Sequence, residues 1–170
     1  MAGQRSSSIK GSRVPGRSGP APDERPQDAP RVRVANPAEP RDVVSFALQR
    51  RAALEDLFTG GALRSDACDA DPYLLRAAQW HGEATERKCP VCRRTELTHV
   101  TYTFGAQLGP YSGRVRATGA LPALATEYGE FRVYVVEVCQ MCTWNHLVTS
   151  YVLGDGIPRA APRRPRDLLD

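Results

Sequence analysis

Two Cys-x-x-Cys units, Cys89-Pro90-Val91-Cys92 and Cys139-Gln140-Met141-Cys142, constrain this chain more than any other feature it carries. Each unit spans a tight turn that brings two sulfurs to one side, while backbone N–H groups of the turn point at them. Two such turns supply four thiolates, the tetrahedral shell that zinc takes at about 2.3 Å per Zn–S bond. Four sulfurs also close that shell and leave no position for an activated water, so the site reads as structural and not catalytic. Iron in a rubredoxin-like centre takes the same ligands; zinc is the commoner occupant where no electron-transfer feature accompanies the cysteines. No apolar stretch follows the N-terminal charges, so export is not expected and metal ligands or reduced thiols are expected over a disulfide framework.

The 46 residues between Cys92 and Cys139 exceed the separation in compact zinc ribbons. An insertion is compatible with a shared metal if it leaves from one strand end and returns to another, since each doubling of loop length costs only about 0.6 kcal/mol. Many such units place glycine after the second cysteine, where the chain turns through positive φ. Arg93 and Thr143 stand there instead, so the turn either differs or carries a strain of about 1 kcal/mol or more. A four-thiolate zinc site carries a charge of −2, and Lys88, Arg93 and Arg94 beside the first unit are placed to offset it; a solvated charged turn is the plainer reading of the same residues.

The segments around the cysteines read as an α+β chain. Asp42 is a candidate cap for a helix to about Phe58, with Val43, Phe46, Ala47, Leu54, Leu57 and Phe58 on one side and Gly60-Gly61 as its stop. Asp71-Pro72 caps a second helix over 73–80, ended near Gly82. Residues 97–104 suit a strand, 105–119 a glycine-rich loop and 122–128 a short helix. Residues 131–138 and 144–153 flank the second cysteine pair as a hairpin with Cys139–Cys142 at its tip. The expected architecture is therefore a small helical part, 41–85, followed by a zinc-ribbon-like antiparallel sheet, 86–154, with a long insertion between the knuckles.

Charge is distributed unevenly around that body. The formal +4 comes from 23 basic and 19 acidic residues in 170. Residues 1–40 hold seven basic, four acidic and seven proline residues, and 155–170 hold four basic and three acidic residues. The body is left neutral. The flanks read as disordered Pro/Arg-rich arms, unable to bury enough apolar surface to offset their ordering entropy. A neutral body argues against a broad phosphate-binding surface and leaves nucleic acid to the arms. No apolar run reaches the roughly 20 residues of a membrane span, so a cytoplasmic protein without membrane contact is expected.

Other candidate groupings are weaker. His81-Gly82-Glu83 ahead of Cys89 superficially matches a zinc deaminase signature, but the proline follows the first cysteine instead of preceding it, and only five residues separate Glu83 from Cys89. A glutaredoxin-like reading of Cys89–Cys92 needs a helix after the pair, where this chain has Arg-Arg-Thr and then a strand. Cys68, among three aspartates, reads as a packing cysteine, and His99 and His146 as structural strand histidines. Trp80 and Trp144 read as core or contact residues. Arg76 and Gln79 would be the base-reading residues of a helix-turn-helix, with Asp66, Asp69 and Asp71 crowding the phosphate side; Tyr111, Arg114 and Arg116 offer a weak RNA-type patch.

The run Asp71-Pro72-Tyr73-Leu74-Leu75-Arg76-Ala77-Ala78, His81-Gly82, the two cysteine pairs, Trp144-Asn145-His146-Leu147-Val148 and Ser150-Tyr151-Val152-Leu153-Gly154 together resemble a family of short, uncharacterised actinobacterial proteins. The resemblance spans about 41–154. It implies an actinobacterial source and a cysteine-pair region and brings no activity with it. At the level of fold, a hairpin with a knuckle at its tip is similar to the zinc ribbons of transcription and translation machinery. The resulting expectation is a non-enzymatic zinc-binding adaptor that docks on a larger protein assembly. A nucleic-acid-binding protein using its arms and a thiol redox or metal sensor are the alternatives.

Overall fold

The structure, a computed structural model, describes residues 36–157 and residue 159. Most of the two expected arms lies outside these residues. The described flanks are tied to the body: Gly154 N–H donates to the Pro37 carbonyl at 2.8 Å, and Arg159 holds Asp155 through two bonds of 2.8 and 2.9 Å while its backbone N–H donates to Gln107 Oε1.

One antiparallel sheet organises the molecule. Its strands are β1 (Arg41–Ser45), β2 (Glu83–Lys88), β3 (Glu96–Phe104), β4 (Arg114–Val115), β5 (Phe131–Val138) and β6 (Asn145–Leu153), in the order β1-β6-β5-β3-β2, with β4 pairing β3 beyond the end of β2. The helices are α1 (Ala47–Thr59), α2 (Arg64–Ala67), α3 (Pro72–His81) and α4 (Leu121–Tyr128). Strand β5 lies at the centre and is the most apolar, with Phe131, Val133 and Val138 buried. Its alternation sends Phe131 and Val133 to one face, where Leu108, Leu121, Leu124 and Ala125 cover them. Val138 points to the other face and packs with Val100 under Ala78 of α3.

The start of the chain departs from expectation. Asp42 caps no helix: residues 41–45 form an edge strand on β6, and α1 begins at Ala47 behind Phe46, with no side-chain cap. Arg-Asp-Val-Val-Ser has β-branched residues and a partner more than 100 residues away, and that pairing overrides the local cap signal. Gly60 does end α1, at φ 82°. The second helix forms as read: the Asp71 carboxylate accepts from Tyr73 N–H at 2.7 Å, Pro72 opens the first turn, and at Gly82 any Cβ would collide with Thr98 of β3 and the Ala78 carbonyl. Glu83–Lys88, which reads as neither apolar nor alternating, is the opposite edge strand. The expected division at 85/86 thus falls inside β2.

The remaining elements lie close to their expected positions, with β3, α4, β5 and β6 within one residue of the predicted ranges and β4 plus short 3-10 turns inside the loop. Of the core and contact roles open to Trp80, the structure removes the core role, since the side chain stands 70% exposed on α3.

Candidate metal centre

Each cysteine pair sits at the tip of a hairpin. The first joins β2 to β3 and the second joins β5 to β6, and β3 pairs directly with β5. The register Thr98↔Val138 therefore brings the two tips side by side at one end of the sheet. Strand pairing, and not proximity in sequence, cancels the 46-residue separation.

The two turns repeat one backbone pattern. Cys89 N–H donates to the Thr95 carbonyl at 2.8 Å and Arg93 N–H donates back to the Cys89 carbonyl at 3.0 Å. In the second turn Cys139 N–H donates to Trp144 at 2.8 Å and Thr143 N–H to Cys139 at 2.9 Å. Arg93 and Thr143 both lie at positive φ, 57° and 63°, so of the two alternatives the turns keep the left-handed step, in two residues that do not favour it. Thr143 is held by its hydroxyl, which lies 2.6 Å from the carbonyls of both Cys68 and Cys142.

The four sulfurs form one compact cluster. Cys89 Sγ lies 3.6 Å from Cys142 Sγ, Cys92 Sγ lies 3.7 Å from Cys139 Sγ, and all four fall within 4.8 Å of one another. A tetrahedron with Zn–S bonds of about 2.3 Å has edges of about 3.8 Å, so the donor set fits a zinc-sized ion. All four cysteines are free thiols. Among the described residues no other group of three or more His, Cys, Asp or Glu side chains gathers this closely.

Surroundings set the chemistry of these thiols. Cys89 and Cys139 are fully buried, in a pocket closed by Leu97 and Trp144 with Ala53 and Leu54 of α1 and Ala67 of α2 packed around it. Burial pushes the Cys139 thiol up to about 12 against the pull of the Cys142 and Met141 N–H groups, and burial likewise raises Cys89. At Cys92 burial also acts upward, but the Arg94 N–H and the three neighbouring sulfurs outweigh it and bring the thiol down to about 7. Buried thiols of this kind stay protonated unless a cation compensates them, and a divalent ion supplies that compensation for all four at once.

The other candidates fall outside the sulfur cluster. Lys88, Arg93 and Arg94 are exposed at its rim, and Arg94 lines a shallow cleft over Cys92 and Cys142 together with Arg64 of α2. Arg64 lies 25 residues before the first knuckle, and nothing in the sequence marked it. Cys68 packs beside the cluster and offers its carbonyl to Thr143. His81 is exposed, and Glu83 accepts from Thr118 through both carboxylate oxygens at 2.7 and 2.8 Å. Trp144 is buried, with His146 stacked on it at 6.0 Å. His99 is half-buried in β3, opposite Glu83 on one side and Glu137 on the other. Tyr111, Arg114 and Arg116 do come together, both guanidinium groups lying within 5.9 Å of the ring centre. Arg76 and Gln79 are exposed on α3, Arg76 lying over the Tyr73 ring.

The most informative feature missed by sequence reasoning is Glu137. It has no exposed surface, and one carboxylate oxygen accepts from Arg50 Nε at 2.6 Å and from Trp144 Nε1 at 3.0 Å. A charged residue within the apolar run Val133–Val138 was the available signal.

A family model described as a family of unknown function (DUF5318) matches residues 38–167. Uncharacterised proteins of Mycobacterium bovis and of two Mycobacterium tuberculosis strains are each 48% identical to this chain over 120 residues, covering 71% of it and 88% of the relative. No solved structure matches. No helix among the described residues is long and apolar enough to cross a membrane.

Proposed function

The chain belongs to the DUF5318 family, and from that premise we propose that it is a zinc-binding, non-enzymatic adaptor whose metal fixes a surface for docking on a larger protein assembly. The observation that carries this reading is the four-sulfur cluster at the joined tips of two hairpins. Cys89, Cys92, Cys139 and Cys142 would hold the ion with no coordination position left open, and through it would join the ends of β2, β3, β5 and β6. The chain's own residues do the rest. Trp144 and Leu97 pack over the buried Cys89 and Cys139, and α1 and α2 pack against the cluster through Ala53, Leu54 and Ala67. The likeness to ribbons of transcription and translation machinery makes RNA polymerase or the ribosome the class of assembly to examine first. Affinity purification from an actinobacterial cell, with metal measured on the same sample, should recover a stoichiometric partner together with zinc. Consistent recovery of the protein alone, metal-loaded, overturns the adaptor reading.

One observation favours a second reading. Arg114 and Arg116 flank the Tyr111 ring in the insertion, a pairing of cations and an aromatic face suited to single-stranded RNA. Binding of that origin falls steeply with salt and persists when residues 1–35 and 160–170 are deleted, whereas binding through the arms is lost on that deletion.

A further inference from the structure

Helix α1 has no fully buried side chain, although it lies against the sheet. Beside it runs an open groove of about 670 Å³. One wall is a single helical stripe from Ala47 through Arg50, Arg51 and Leu54 to Phe58 and Thr59, so the groove follows the whole helix. At 1.5 Å per residue that is about 20 Å, long for a compact small molecule and matched to a few turns of a second helix. Val148 of β6 and Arg87 of β2 also line it.

An apolar line of α1 side chains runs through a mixed lining, with basic residues beside it. Ala47, Leu54 and Phe58 lie seven and four residues apart, and Phe58 is 59% exposed. Arg51 and Arg87 make no ion pair among the described residues, while Arg50 is held by Glu137; Glu55 is the one carboxylate in the lining. An apolar line with unpaired cations beside it complements a helix whose apolar stripe is edged by carboxylates.

We propose that this groove is the docking site for an acidic amphipathic helix of a protein partner. The proposal rests on the adaptor reading above and gives it a surface and a partner chemistry.

The test is a photo-crosslinker, p-benzoylphenylalanine, replacing Thr59 in the full chain expressed in a mycobacterial cell, with the cross-linked peptide identified by mass spectrometry. The expected product joins residue 59 to a segment of another protein with apolar residues three and four apart flanked by Asp or Glu. Arg51→Glu combined with Arg87→Glu should cut the yield about tenfold or more at unchanged zinc content and circular dichroism. Leu48→Ser, exposed and outside the groove lining, should leave the yield intact. Cross-linking to residues 160–170 of the same chain, to a second copy, to nucleic acid or to a basic segment overturns the proposal, as does a yield indifferent to charge reversal or no product at all. Zinc retained without such a product sinks the groove alone, whereas zinc absent from the same samples sinks the reading it rests on.

Discussion

Arg50 of α1 and Glu137 of β5 meet at 2.6 Å, Nε to Oε1, where the carboxylate is wholly buried two residues before Cys139. Trp144, two residues after Cys142, donates to the same oxygen. One carboxylate thus ties the first helix, the central strand and the second knuckle together. No side chain of α1 is fully buried, and this pair, the contacts of Ala53 and Leu54 and the Phe46 N–H bond to the Val148 carbonyl help hold it on the body.

Arg50→Met should therefore destabilise the folded protein by about 3 kcal/mol, because it leaves a buried carboxylate with only the indole as partner. Glu137→Gln keeps an acceptor for both donors and should cost less, about 1–2 kcal/mol. Urea denaturation of both variants at saturating zinc measures the difference. A loss under about 1 kcal/mol for Arg50→Met contradicts the anchoring role.

The two left-handed turn residues should respond differently to glycine. Arg93 is exposed and makes no side-chain bond among the described residues, so Arg93→Gly relieves strain and should stabilise, by up to about 1 kcal/mol after the entropy of glycine is set against it. Thr143→Gly relieves the same strain but loses the hydroxyl bond to Cys68, so it should gain nothing or destabilise. Thermal melts at fixed zinc rank the pair; a stabilising Thr143→Gly would show the hydroxyl to be idle.

Of the five cysteines, four should be needed for metal. Cys139→Ser should lose the ion and raise hydrogen exchange mainly over residues 86–153, whose strands end at the two knuckles. Cys68→Ala removes a thiol that packs beside the cluster without joining it and should leave metal stoichiometry unchanged. Mass-spectrometric exchange and metal analysis on both variants decide this, and metal loss in Cys68→Ala would require a different ligand set.

Stability should fall on mild acidification through His99. Burial holds its imidazole below the ordinary 6.5, with Glu137 and Glu83 pulling it upward and Arg87 downward. The unfolded chain takes up this proton as the pH drops through 6.5 and the folded chain only at lower pH, so the unfolded state binds more protons in that window. The contribution is complete above 6.5 and is lost as the pH descends toward the lowered folded value. His99→Gln should show a shallower decline than the parent between about pH 7.5 and 5.5, metal release being common to both. Parallel declines would contradict it.

Much of the site was legible because its determinants are local. Cys-x-x-Cys fixes a turn, Asp71-Pro72 fixes a helix start, and β5 and β6 carry enough β-branched and aromatic residues to be read alone. What escaped was set by distant partners. β1 exists because β6 accepts it, and β2 is a polar edge strand whose sequence Glu-Ala-Thr-Glu-Arg-Lys has no apolar face to announce it. Missing β2 hid the hairpin under the first knuckle. The Arg50–Glu137 pair joins residues 87 apart, and only the folded sheet brings them together.

The central claim is that Cys89, Cys92, Cys139 and Cys142 hold one zinc ion. Metal analysis of protein purified without added metal under anaerobic conditions, followed by X-ray absorption at the zinc edge, tests it most directly. About one zinc per chain with four sulfur neighbours at about 2.3 Å is expected, and its loss in Cys139→Ser. Less than about half an equivalent of zinc, or a shell containing nitrogen or oxygen, would contradict it.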